Sequence, residues 1–95
     1  MHKLEELGFK LISTDGYHTW IKQSQYDESW KGKPTKTGNW LQASFYPFEM
    51  HVHLKAFPSN EDGSINYDFE GKMYWAPTWY EIEAIKEYFD FLRKK

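Results

Sequence analysis

The chain contains no cysteine, which removes disulfides, thiol nucleophiles and thiolate metal sites and suits a reducing compartment. Arginine is nearly absent too, Arg93 being the only one. A phosphodiester transition state would therefore be poorly supplied with bidentate donors. Neither sign of charge dominates: twelve Lys and Arg stand against fourteen Asp and Glu, for a net charge of -2. That excludes both the basic surplus of a dedicated polyanion binder and the acidic excess of a nucleic-acid mimic. Apolar runs never exceed a few residues, so no segment can cross a bilayer as a helix, and residues 1–9 (MHKLEELGF) lack the apolar stretch of a signal peptide. The expectation is a cytoplasmic protein with no membrane partner.

The chemistry-bearing patterns are missing as well. There is no G-x-x-x-x-G-K-[ST] or G-x-G-x-x-G phosphate cradle and no G-x-S-x-G elbow. With no thiol either, the options for covalent catalysis are few. The sequence predicts a protein that is not an enzyme and takes no cofactor.

Aromatic rings are abundant. Nineteen Phe, Trp and Tyr make up 20% of the 95 residues, and each can bury on the order of 150 to 250 Å². A single domain of this length has room for only some of them inside. The rest are expected at the surface, where Trp and Tyr are typical binding hot spots.

The clearest pattern is residues 48–57, FEMHVHLKAF, in which Phe48, Met50, Val52, Leu54 and Ala56 alternate with Glu49, His51, His53 and Lys55. Side chains of an extended chain point alternately to two faces, so this is a strand with both histidines on the side away from the core. Around it, Leu4 and Leu7 in KLEEL suggest a turn or two of helix closed by Gly8. Residues 9–13 and 17–23 flank Thr14-Asp15-Gly16, a hairpin signal. Residues 24–39 lose the alternation and read as a long loop with Trp30 in its middle, a length typical of functional or disordered loops. In residues 40–46, Leu41, Ala43 and Phe45 alternate with Trp40, Gln42, Ser44 and Tyr46, giving another strand, and Pro47 belongs to the connection that follows.

Asn60-Glu61-Asp62-Gly63 marks a turn, and Ile65, Tyr67 and Phe69 predict a fifth strand that residues 72–76 can extend. Thr78 and Glu81 form a capping box for a helix ending near Arg93. Ile82, Ile85, Phe89 and Leu92 are its expected buried stripe. Tyr80, Ala84 and Phe91 widen the apolar arc, either against the first helix and the first strand or as a partner surface. The predicted architecture is a single α+β domain over residues 1–95: an antiparallel meander of four or five strands, with the C-terminal helix across one face and a short N-terminal helix.

The other face is expected to carry Trp20, Trp40, Tyr46, His51 and His53. Two histidines at i and i+2 on one strand have a spacing that metal sites use, but a metal would need a third ligand from a neighbouring strand, and solvent-facing imidazoles are the favoured reading. An aromatic sheet face can also stack single-stranded bases, though the lack of basic surplus weighs against nucleic acid. Surplus Trp and Tyr fit protein recognition better. The residues assigned to a partner are Trp30, Trp40, Tyr46, His51 and His53.

The layout LEELGFK, then alternating strands, then TWYEIEAIKEYFDFL resembles the small accessory proteins of phages and prophages of Gram-positive bacteria. That resemblance implies a short N-terminal helix, an antiparallel sheet and a C-terminal helix opened by a T-x-x-E cap. It also implies a role in binding and inhibiting a host protein, such as a defence nuclease. It assigns no functional residue.

Overall fold

A computed structural model describes residues 2–23, 39–71 and 73–94. The long loop expected at residues 24–39, with Trp30, lies outside the described residues except for Asn39. The order of elements is α1 (Lys3–Glu6), β1 (Lys10–Ser13), β2 (His18–Gln23), β3 (Trp40–Tyr46), β4 (His51–Phe57), β5 (Met73–Tyr74) and α2 (Trp79–Arg93). The strands form one antiparallel sheet in the order β1-β2-β3-β4-β5, so the expected α+β meander is the observed fold. Among the described residues, no helix is long and apolar enough to cross a membrane.

Cross-strand register separates the two faces. Leu11, Trp20, Ala43 and Leu54 form one row, and Val52, Phe45 and His18 form another; Trp20 in the first and Phe45 and His18 in the second meet Tyr88 of α2. The core consists of Leu4, Phe9, Trp20, Leu41, Ala43, Phe45, Ala56, Trp75, Ala84, Ile85 and Tyr88. Tyr88 is its centre, meeting Trp20 and Phe45 edge-on at centroid distances of 5.2 and 4.8 Å. His2, just ahead of α1, packs edge-on against Trp20, Tyr88 and Phe91, which ties the N-terminal helix to α2. Its Nδ1 lies 3.3 Å from Glu87 Oε1.

Helix α2 starts as its sequence predicts, because Glu81 reaches back to accept from the Thr78 backbone N–H at 2.8 Å. The Thr78 hydroxyl also donates to that carboxylate, at 2.8 Å, so one acidic side chain organises the first turn. The buried stripe differs from expectation. Ala84, Ile85 and Tyr88 face inward, whereas Ile82 is exposed. The Tyr88 ring bridges helix and sheet, meeting Trp20 and Phe45. On the flank left open by the sequence, Ala84 is buried and Phe91 meets His2, while Tyr80 is exposed.

Three further expectations are corrected. Trp20 does not lie on the outer face: it is 1% exposed and opposite Ala43 in the core. The strand at residues 48–57 begins only at His51, because residues 47–50 form a turn closed by Met50 N–H donating to the Tyr46 carbonyl at 2.8 Å. Met50 sits there at φ 54°, a left-handed conformation that breaks the alternation, and Phe48 is 96% exposed rather than core. The strand expected across Ile65, Tyr67 and Phe69 is reduced to a single bridge between Ser59 and Ile65. Local side chains explain the loss: Asn66 Oδ1 accepts from Asp68 N–H at 3.1 Å and Asp62 Oδ1 from Ser64 N–H at 3.0 Å, giving the backbone turn partners that compete with a ladder. The Asp62 carboxyl is held below its usual range, chiefly by the Ser64 hydroxyl. At Gly71 a Cβ would come within 2.5 Å of the exposed Phe69 ring, so a side chain there would have to displace that ring.

Candidate functional site

The face opposite α2 gathers a cluster of rings at one end. Strand β3 places Tyr46 outward and pairs it with His51 on β4, and the next outward pair is Ser44 with His53. The tight turn at residues 47–50 joins these strands directly, which is why two residues five positions apart become cross-strand partners. The rings of Tyr46 and His51 stack at 4.7 Å and 23°, and His53 tilts against Tyr46 at 4.9 Å. Tyr17, from the loop before β2, stacks on the other side of Tyr46 at 5.1 Å and 26°.

Small side chains form the floor. Thr19, Ser44 and His53 lie in one cross-strand row, and Thr19 and Ser44 are buried. The Gln42 amide donates to the Ser44 hydroxyl at 3.1 Å. Above this floor Tyr17, His51 and His53 are exposed and Tyr46 is half-buried. Between the two imidazoles, Nε2 of His51 and Nε2 of His53 are 3.0 Å apart. The patch can stack on planar groups through its ring faces, and it can donate or accept hydrogen bonds through two phenol oxygens and the Nδ1 atoms of the two imidazoles.

The residues singled out from the sequence thus divide. Tyr46, His51 and His53 come together. Trp40 shares their face but stands six residues from Tyr46 along β3, about 20 Å away at the rise of a strand. There it pairs with Gln23 and Phe57, and its indole N–H donates to the Gly63 carbonyl at 2.9 Å. Trp30 lies outside the described residues. Tyr17 belongs to the cluster but reads in sequence as the first residue of a strand; the signal for its position is Gly16, whose φ of 81° turns the chain just before it.

Phe48 was also missed, its alternating spacing having assigned it to the core. It lines an open hollow of about 560 Å³ with Thr14, His18, Pro47 and Leu92. Among the described residues, no three or more His, Asp or Glu side chains converge as a metal centre would require.

No family model, curated protein or solved structure matches this chain.

Proposed function

We propose that this chain is a non-catalytic protein-binding module of the cytoplasm, docking its partner on the Tyr17–Tyr46–His51–His53 end of the outer sheet face. The observation that carries this reading is the exposure of a stacked ring cluster on a sheet: among the described residues, the ring contacts of these four side chains are with one another. Aromatic groups held rigid by mutual stacking lose little entropy on binding and offer large apolar area with polar tips, which is the make-up of a hot spot. The resemblance of its sequence layout to phage accessory proteins is the support for inhibition of a host protein as the purpose of that binding.

The test is capture from lysates of Gram-positive bacteria by the immobilised chain, compared with the Tyr17→Ala/Tyr46→Ala double variant. One stoichiometric protein held by the parent and lost from the variant is the expected result. Recovery that disappears on nuclease treatment would instead favour single-stranded nucleic acid stacked on the same rings. Equal recovery by both forms would remove the cluster from the interface.

A further inference from the structure

We infer that the outer face of α2 is an interface between two copies of this chain, packed antiparallel about a two-fold axis, with Trp79 of each copy seated in a hollow on the other copy's helix. At 3.6 residues per turn, Trp79, Ile82, Glu83, Lys86, Asp90 and Arg93 fall on one stripe of the helix, opposite the side on which Ala84, Ile85 and Tyr88 are buried. All six are exposed. Trp79 is the largest of them at 70% exposure, with Ile82 at 41%, and its ring is held edge-on by Tyr80 at 5.5 Å. This apolar knob at the N-terminal end of the stripe is matched at the C-terminal end by an open hollow of about 300 Å³ lined by Lys86, Phe89, Asp90 and Arg93. A helix cannot bring its own Trp79 there, because the middle of the hollow, near residues 89 and 90, lies about 16 Å further along the axis. A second helix running the other way can.

Charge and level select a second copy as the occupant. Along the stripe the charges alternate in the order Glu83, Lys86, Asp90 and Arg93, so an antiparallel copy offers each of them its opposite. The level halfway between Trp79 and the hollow lies between residues 84 and 85, and the level halfway between Glu83 and Lys86 lies there too. One two-fold axis crossing α2 at that level therefore does both things: it seats each Trp79 in the other copy's hollow and sets each Glu83 across from the other copy's Lys86. Lys86 and Arg93 at the rim offer cations to the indole face, and the Asp90 carboxylate is already paired with Arg93, 3.6 Å away. A second antiparallel register, with Glu83 across from Arg93 and Lys86 across from Asp90, gains ion pairs but leaves Trp79 in water. Exposed ion pairs contribute little, whereas a buried Trp is a typical anchor, so the first register is favoured. This interface uses the side of α2 turned away from the sheet, and it stands whether or not a partner docks on the Tyr17–Tyr46–His51–His53 cluster.

Sedimentation equilibrium of the chain from about 10 μM to about 1 mM tests it, since the stripe of one helix is smaller than a standard interface and the dimer should be weak. A monomer–dimer equilibrium is the expected result. Trp79→Ala, with its fold checked by circular dichroism, should weaken the dimer by about thirtyfold or more, because each dimer loses two anchors. Glu83→Lys and Lys86→Glu should each weaken it by roughly tenfold through like charges facing across the axis, and the exchange Glu83→Lys/Lys86→Glu should restore it. A chain that stays monomeric at the highest concentration would overturn the interface. So would a dimer indifferent to Trp79→Ala, whose contact would lie elsewhere on the chain. An exchange variant weaker than either single variant would assign the second register and overturn the seating of Trp79.

Discussion

The Tyr88 hydroxyl on α2 is hydrogen-bonded to Nδ1 of His18 on β2, joining elements seventy positions apart in the chain. A phenol placed at the centre of an aromatic core must find a polar partner for its oxygen, and this pairing supplies it at the rim of the sheet. Burial raises the Tyr88 pKa above its ordinary 10.0, opposed by the Trp20 indole N–H and reinforced by the Glu87 carboxylate. The Trp20 Nε1 itself is buried without a hydrogen bond of ordinary geometry.

A pH dependence follows from that shift. Above the ordinary phenol pKa the unfolded chain has lost the Tyr88 proton while the native chain still holds it, so this contribution to stability is intact below that value and is lost as pH rises through the raised one. Tyr88→Phe removes the contribution along with a hydrogen bond worth about 0.5 to 1.5 kcal/mol. Urea denaturation at neutral pH should show the variant less stable, and repeating it on the alkaline side should show a shallower fall than in the parent. Parallel alkaline limbs in the two proteins would rule Tyr88 out as the source.

Register gives a sharper contrast. Phe45 is fully buried against Tyr88 and Phe89, whereas His53, on the neighbouring strand and the opposite face, is exposed. Phe45→Ala should cost about 3 to 5 kcal/mol. His53→Ala should stay within about 0.5 kcal/mol. A large loss at His53 with little at Phe45 would mean the sheet's two faces are exchanged.

Most of the fold was legible because period-two alternation survives wherever one face of a strand is buried. Leu41, Ala43 and Phe45 inward, with Trp40 and Tyr46 outward, follow directly from it, and so do His51 and His53. The same pattern misled at Phe48 and Met50, where a left-handed residue precedes the strand, and at Tyr67 and Phe69, where Asn66 and Asp62 accept from the backbone N–H two residues on. Trp20 was misplaced for a different reason. Its strand carries Thr19, Ile21 and Lys22 around it, so no alternation distinguishes its two faces, and only the pairing with Ala43 assigns the ring to the core. The site was half legible: Tyr46, His51 and His53 follow from parity, but Tyr17 joins them through a loop whose path the sequence does not specify.

The turn between β3 and β4 makes its own prediction. With Phe48 at 96% exposure, Phe48→Ala should change stability by no more than about 0.5 kcal/mol. Met50 holds φ at 54°, which costs an L-residue about 1 to 2 kcal/mol and glycine almost nothing. Met50→Gly should therefore be neutral or stabilising, and Met50→Val destabilising, by thermal melts of the three proteins. A stabilising valine would show that residue 50 continues the strand instead of turning it.

Trp40 and Tyr46 share a face and a strand, yet they are expected to separate in experiment. Residue 40 pairs with Gln23 and Phe57 in the ladder, and the Trp40 indole N–H donates to the Gly63 carbonyl, to which Gln23 Nε2 also donates at 3.2 Å. Removal of the indole leaves Gln23 as the sheet's donor to that carbonyl, so Trp40→Ala should lower stability by about 3 to 5 kcal/mol if the ring packs as a core side chain does, and by about 1 kcal/mol if the hydrogen bond is all that is lost. Tyr46 instead stacks on rings that are themselves exposed, and truncating it leaves no buried polar group behind. Tyr46→Ala should leave the melting temperature nearly unchanged and weaken partner binding by about 2 kcal/mol or more. Melts of the two variants can be measured before a partner is in hand, and binding of the captured protein to Tyr46→Ala completes the comparison. A Tyr46→Ala protein that melts far below the parent would show that this ring holds the sheet together, and the docking surface would lose its central anchor.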